Sequence, residues 1–201
     1  MSGRAVLFLD IDGVLNRTVI ANHIRLESEL VARLKGLVEA EDLDIVLSTF
    51  WRHFTEYVGY VLHRHKIDAT RVIGCTPGRA YSIEKATSRG LTPSPHPTAE
   101  YANRACEIRA WLDAHPHVTR YVILDDKPSA AEGDAELEVH FVRTDPALGL
   151  TAENVEDARS ILQTTSAWAA RVLGSDDDGG VRASPASDGP GAADDRMAET
   201  H

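Results

Sequence analysis

Two carboxylates one residue apart, Asp10 and Asp12, stand at the end of an apolar run that begins at Val6. Residues 6–9 are all apolar, and a run without alternation is typical of a strand buried on both faces of a parallel sheet. If the chain stays extended, both acids point to the same side, and a cation would relieve their repulsion. Carboxylate oxygens suit Mg²⁺, and Gly13 allows the backbone to turn sharply beside them. The pattern predicts a magnesium site beyond the carboxyl end of a buried strand, where α/β sheets bind their ligands.

The Asp-x-Asp-Gly pattern has three other interpretations. It resembles the start of a calcium-binding loop, but such a loop closes with a glutamate at its twelfth position, where Ala21 stands. An Asp-x-Asp pair also holds sugar nucleotides in glycosyltransferases, and two acids can simply solvate the end of a strand. A glycosyltransferase would bind a sugar nucleotide that phosphate monoesters fail to displace.

A second apolar run, residues 45–47, ends in the hydroxyls of Ser48 and Thr49. Leucines recur at helical spacing over residues 26–40, between this run and the first. A strand, helix, strand succession of this length implies a right-handed parallel crossover. Ser48 is therefore expected beside Asp10 at the same edge of the sheet, where its hydroxyl can donate to a phosphoryl oxygen.

Trp51 and Arg52 continue the chain directly from that edge. The tryptophan can stack on a substrate, and the arginine can hold a second anionic group. The alternative is an aromatic residue that caps the core beside a solvated arginine. The sequence leaves both interpretations open.

A third apolar run, Tyr121–Leu124, also ends in paired carboxylates, Asp125 and Asp126. It lies more than a hundred residues after the first pair. Two buried strands with such ends are poorly explained by unrelated structural causes. The later run Val139–Val142 predicts one further short strand.

The succession of these motifs resembles the haloacid dehalogenase (HAD) superfamily, the aspartate-nucleophile phosphohydrolases, over about residues 5–165. The resemblance implies that Asp10 attacks phosphorus to form an aspartyl-phosphate, and that Asp12 acts as general acid and then as general base. It identifies Ser48 as the hydroxyl of the second motif, with Thr49 as its substitute.

The resemblance also implies a Mg²⁺ site formed by Asp10, the backbone carbonyl of Asp12, and Asp125 or Asp126. Superfamily members that break carbon–halogen bonds need no magnesium and lack the acid at Asp12. A phosphatase is therefore favoured over a dehalogenase.

The third superfamily motif is a Lys or Arg near the start of the helix before the last acidic strand. Arg104 fits this position, although Lys is the commoner residue, and Arg79 or Arg109 could take the role instead. A fixed cation there would stabilise the nucleophile and the charge on the phosphoryl oxygens.

The resemblance implies a three-layer α/β/α sandwich with a parallel, Rossmann-like sheet and the first strand near its centre. The proline- and glycine-containing loop over residues 76–103 is too short for a globular cap, so a minimal cap or none is expected. The hydrolase domain is predicted to span residues 1–173. The remainder, residues 174–201, is rich in Asp, Gly, Ala, Ser and Pro and is predicted to be a disordered tail, dispensable for the chemistry.

Within the superfamily, the motifs resemble the small capless group described as the HAD domain of Swiss Army Knife RNA repair proteins. That resemblance implies a phosphorylated small molecule, a nucleotide or a nucleic-acid end as the partner. The net charge of −10 argues against tight polynucleotide binding, while an open site would admit a large substrate. The alternative from another class is a catalytically silent module that binds phosphate or a partner on the same fold; the intact set of acids argues against it.

Composition indicates one domain with a sizeable core, since 43% of the 201 residues are apolar. No stretch approaches the roughly 20 apolar residues of a membrane span. Acids interrupt the N-terminal apolar run, so no signal peptide is expected, and the two cysteines lack a zinc or disulfide pattern. We expect a cytoplasmic protein with no membrane partner; the sequence does not determine the oligomeric state.

Overall fold

The computed structural model describes residues 4–18, 25–78 and 101–174. In these ranges, strands and helices alternate along the chain. The strands are β1 (Ala5–Leu9), β2 (Leu43–Leu47), β3 (Val72–Cys75), β4 (Tyr121–Asp125) and β5 (Phe141–Arg143). The helices are α1 (Ser28–Ala40), α2 (Thr55–Arg64), α3 (Arg104–Ala114), α4 (Ala135–Glu138) and α5 (Ala152–Gly174), with short 3₁₀ turns at Phe50–Phe54, Ala69–Arg71 and Pro128–Ala130.

The five strands form one parallel sheet in the order β3-β2-β1-β4-β5. Leu9 of β1 is paired with Leu47 of β2 on one side and with Leu124 of β4 on the other. The next residue on each of these three strands therefore lies at the same edge of the sheet. This topology confirms the predicted parallel α/β fold with the first strand at its centre.

Both faces of the sheet are covered, which explains the uninterrupted apolar character of β1. Leu7 and Leu9 point into a core formed with α1, α2 and α5, whereas Phe8 points into a second core on the opposite face. There Phe8 makes edge contacts with Trp111 of α3 and Tyr121, with ring centroids 5.3 and 5.9 Å apart. The alternation of side chains across a strand thus divides one apolar run between two helical layers.

The last strand begins two residues later than predicted. Val139 and His140 precede β5, because they form the turn that ends the short helix α4, in which the backbone N–H of His140 donates to the carbonyl of Leu137 at 3.0 Å. The chain becomes extended only after this turn, at Phe141.

Three predictions concern residues outside the described ranges. The segment 79–100 of the long loop is among them, so the expectation of a minimal cap stays a prediction. The tail beyond Gly174, predicted to be disordered, also lies outside these ranges. So does Arg79, one of the alternatives for the third-motif cation. Across residues 4–18, 25–78 and 101–174, no helix combines the length and apolar character that crossing a membrane requires.

Candidate active site

Asp10 follows the central strand directly and is almost fully buried. Its backbone N–H donates to the carbonyl of Leu124 on β4 at a distance of 3.0 Å. Oδ1 accepts a hydrogen bond from the N–H of Ile11 at 2.8 Å, and Oδ2 accepts one from the Arg104 guanidinium at 2.7 Å. The carboxylate is therefore fixed in orientation, and each oxygen retains a lone pair for a further partner.

Asp125 and Asp126 bring two more carboxylates to Asp10. One oxygen from each of the three acids lies within 4.8 Å of the others. Burial and the negative charge of Asp10 raise the pKa of Asp125 to about 7, and the same causes raise the pKa of Asp126. A cation among the three acids would offset both the cost of burying their negative charges and the repulsion between them.

The donor set fits a hard divalent cation. All three groups are carboxylates, which suit Mg²⁺. Oδ1 of Asp126 is buried and accepts no hydrogen bond within the part of the chain that the structure describes, so it is available as a ligand. The side chain of Asp12 lies outside this group of acids; the resemblance had assigned its backbone carbonyl, rather than its carboxylate, to the metal.

Gly13 permits the close approach of Asp126. Its φ is +77°, a conformation that residues with a side chain rarely adopt. A Cβ at this position would lie 2.6 Å from the Cβ of Asp126, which is far inside van der Waals contact. The turn after β1 therefore needs glycine for two independent reasons.

Arg104 lies at the first position of α3, which Asn103 caps by accepting a hydrogen bond from the N–H of Cys106 at 2.9 Å. One nitrogen of its guanidinium donates to both Asp10 and Asp125. Burial alone would lower the pKa of Arg104, but the charges of the two acids outweigh it and raise that pKa. The helix start thus places a permanent cation between two buried carboxylates.

Arg109, the alternative on the same helix, is directed elsewhere. It pairs with Asp134 at 2.8 Å and with Glu136 at 3.1 Å. Arg109 lies five positions after Arg104, which places the two arginines about 140° apart around the helix axis. Arg104 is therefore the α3 arginine that the fold brings to the acids.

Ser48 and Thr49 follow β2 but have different surroundings. Ser48 donates its backbone N–H to the carbonyl of Leu9, the residue before Asp10, at 2.9 Å. Its hydroxyl is buried and has no hydrogen-bond partner among the described residues. The hydroxyl of Thr49 instead accepts the backbone N–H of Trp51 at 3.3 Å and caps the 3₁₀ turn. Ser48 is thus the hydroxyl that a ligand at Asp10 could engage.

Asp12 is held by two side chains. Asn16 donates to its Oδ1 at 2.8 Å, and the indole N–H of Trp51 donates to its Oδ2 at 2.9 Å. Asn16 was not among the predicted site residues. Its position four residues after Asp12, in the turn that Gly13 opens, is the signal that could have found it.

Arg52 lies in a buried ion pair with Glu107 of α3. Nη1 of the guanidinium donates to Oε2 of Glu107, and Nη2 donates to Oε1 at 3.0 Å. Nη1 also donates to the Thr76 hydroxyl at 3.2 Å. Both side chains are nearly inaccessible to solvent. The arginine therefore connects the turn after β2 to the helix that carries Arg104. Glu107 was not predicted, because nothing local distinguishes it from a solvated helical acid.

The family model described as the HAD domain in Swiss Army Knife RNA repair proteins matches residues 6–155 of the chain. The match covers most of the 201 residues and includes every acid of the site. The chain therefore belongs to this family. No curated protein matches the chain, and no solved structure matches it either.

Proposed function

We propose, from the premise that the chain is a HAD domain of this family, that it is a magnesium-dependent phosphomonoester hydrolase. One observation supports this most strongly: the buried carboxylate of Asp10 shares the cation Arg104 with Asp125. The hydroxyl of Ser48, which has no hydrogen-bond partner among the described residues, directly follows the neighbouring strand. A carboxylate nucleophile, a fixed cation and a hydroxyl that meet at one edge of the sheet suit phosphoryl transfer through an aspartyl-phosphate.

In the first step, Asp10 attacks phosphorus and forms an aspartyl-phosphate while the bond from phosphorus to the ester oxygen breaks. Asp12 gives its proton to the departing oxygen, a contribution that is typically worth about 10² to 10⁴-fold in rate. Arg104 and Ser48 hold the phosphoryl oxygens by donating hydrogen bonds to them.

In the second step, water attacks the phosphorus of the aspartyl-phosphate and gives a proton to Asp12. The bond between phosphorus and Asp10 then breaks, which releases inorganic phosphate and restores both acids to their initial states. Covalent catalysis of this kind divides one difficult displacement into two easier ones.

Asp10, Asp125, Asp126 and the backbone carbonyl of Asp12 are the groups that would hold Mg²⁺. Bound there, the ion supplies positive charge that neutralises the acids and the substrate phosphate, so that attack by an anion is tolerated. The raised pKa of Asp125 supports this assignment, as does the buried Oδ1 of Asp126, which has no partner within the described part of the chain.

Phosphorylated nucleic-acid ends and nucleotides are the substrates that we propose to test first, since the family is described by its occurrence in RNA repair proteins. Small phosphate esters form the second group. The net charge of −10 opposes extended contacts with a polynucleotide backbone. Recognition of a nucleic acid would then be confined to its phosphorylated end.

The decisive measurement is magnesium-dependent release of phosphate from an aryl phosphate by the wild type and by Asp10→Asn. The substitution preserves the size of the side chain and its acceptor for Ile11. We expect activity in the wild type, a loss of about 10³-fold or more in the variant, and loss of activity in chelator. A folded Asp10→Asn variant with wild-type turnover would refute the nucleophile assignment. A wild type that binds magnesium but hydrolyses no aryl phosphate, nucleotide or phosphorylated oligonucleotide would favour a phosphate-binding module.

We further propose that residues 1–173 form the catalytic unit. In α5, Ala158 and Leu162 are buried in the core, so the helix is needed for the fold at least that far. A chain that stops after residue 173 is expected to unfold at the same temperature as the full chain and to keep its activity. A lower midpoint or lost activity would assign a role to the tail.

A further inference from the structure

Trp51 contacts the acid that moves protons in the proposed reaction. Its indole N–H donates to Oδ2 of Asp12 at 2.9 Å. Stacking on a substrate was one of the two roles that the sequence left open for this side chain, but stacking uses the face of the ring and does not require the N–H. The geometry points to Trp51 as a positioning residue that sets the orientation of the Asp12 carboxylate for proton transfer. This inference rests on the proposed function.

The indole is itself fixed by the turn that follows β2. Thr49 accepts the backbone N–H of Trp51 at 3.3 Å and starts the 3₁₀ turn. The ring then meets Phe50 edge-on at 6.2 Å between centroids and lies at a tilt against Phe54 at 5.9 Å. These contacts limit the movement of the indole, so its N–H presents a defined direction to Asp12.

Asn16 completes the arrangement from the other side. Its Nδ2 donates to Oδ1 of Asp12 at 2.8 Å, and its own Oδ1 accepts the backbone N–H of Gly13 at 3.0 Å. Asp12 therefore receives one N–H donor on each oxygen, from two side chains that are anchored independently. Rotation of the carboxylate would break at least one of these hydrogen bonds.

The fixed orientation matters because proton transfer depends steeply on geometry. A general acid must lie within about 2.6–3.2 Å of the oxygen that it protonates. A misplacement of about 1 Å can cost roughly 10²-fold in rate. Each oxygen of Asp12 has a second lone-pair direction that can carry the transferred proton. The two donors thus orient the acid without occupying it completely.

Two substitutions separate positioning from stacking. Trp51→Phe keeps an aromatic ring and removes the N–H, whereas Trp51→Leu removes both. The assay is kcat/KM over a series of substituted phenyl phosphates, from 4-nitrophenyl phosphate to phenyl phosphate. These esters share one ring shape but differ in how much the departing phenolate needs the proton from Asp12.

The measured quantity is the ratio of kcat/KM for 4-nitrophenyl phosphate to kcat/KM for phenyl phosphate. We expect this ratio to be about tenfold or more larger in Trp51→Phe than in the wild type. The matched control is Trp111→Phe, which removes the indole of a buried tryptophan in the opposite core. Trp111→Phe is expected to leave the ratio of kcat/KM for the two esters unchanged. A general loss of stability would change both rates together and would not change the ratio.

A stacking role predicts a different result, which would overturn the inference. In that case Trp51→Leu lowers kcat/KM equally for all the esters, and Trp51→Phe leaves kcat/KM unchanged. An unchanged ratio in Trp51→Phe would overturn it as well.

The contact has a readout that does not depend on turnover. The indole N–H resonance of Trp51, assigned by its absence in Trp51→Phe or Trp51→Leu, should move upfield in Asp12→Ala because its acceptor is lost. An unmoved resonance would overturn the inference even if Trp51→Phe failed to fold. A wild type that hydrolyses none of the esters would refute the proposed function, and the positioning role with it, whatever the resonance does.

Discussion

Replacing Arg104 by methionine should destabilise the metal-free protein strongly and the magnesium-loaded protein much less. The guanidinium is 18% exposed, while the carboxylates of Asp10 and Asp125 are 4% and 1% exposed. Removing one partner of a buried ion pair typically costs about 3–5 kcal/mol, because the remaining charge is left without a counter-charge. Here two carboxylates lose their shared cation.

Proton uptake reduces this cost at neutral pH. Since the pKa of Asp125 is already about 7, this acid can become neutral in the variant. We therefore expect a loss of about 3 kcal/mol at pH 7, equivalent to a midpoint about 6–12 °C lower for a chain of this size. A carboxyl whose pKa is raised in the folded state favours folding while it is protonated. The wild type stops losing stability from this group above about pH 7, whereas the variant, whose Asp125 lacks the pKa-lowering charge of Arg104, continues to lose it. The deficit should accordingly be constant below about pH 7 and grow above it.

Thermal unfolding in chelator and in excess Mg²⁺ measures the effect. The ion would replace the missing positive charge, so most of the deficit should disappear when it is added. Arg109→Met is the matched control, since it removes an arginine from the same helix. The pair of Arg109 with Asp134 is more accessible to solvent, so this change should cost about 1 kcal/mol or less and show no dependence on magnesium. Equal losses in the two variants, or a deficit that Mg²⁺ leaves unchanged, would contradict the reasoning.

Further substitutions test other contacts of the site. Gly13→Ala should lower both the unfolding midpoint and the affinity for magnesium, measured by calorimetry, because the Cβ of the new alanine would collide with Asp126. An unchanged affinity would show that the turn can shift without displacing Asp126. Ser48→Ala should reduce kcat/KM for phosphate esters by about tenfold with little change in midpoint, since its hydroxyl has no partner among the described residues; a stability loss without a rate loss would assign it to the fold. Arg52→Met should destabilise by about 3 kcal/mol or more, because it leaves Glu107 buried without its partner, and the further change Glu107→Met should restore much of the stability. A double variant no more stable than Arg52→Met would exclude this pairing as the cause.

The family and its fold could be predicted from short-range patterns. Apolar runs without alternation predict strands covered on both faces, and helical spacing between them predicts parallel crossovers. Because parallel strands all present their carboxyl ends at one edge, the acids after the first and fourth strands had to meet there. Asp10, Ser48 and Asp125 were therefore identified from the positions where apolar runs end.

The sequence alone could not determine which donors meet each acid. The rotation of α3 about its axis selects Arg104 over Arg109, and that rotation depends on how the helix packs against the sheet. Trp51 reaches Asp12 across 39 residues of chain, and Arg52 reaches Glu107 across 55. Such contacts depend on side-chain directions at the ends of packed elements, which no local pattern encodes. The sequence determined which groups lie at the edge of the sheet, and the tertiary structure decided how they are paired, because pairing requires directions and distances that only packing fixes.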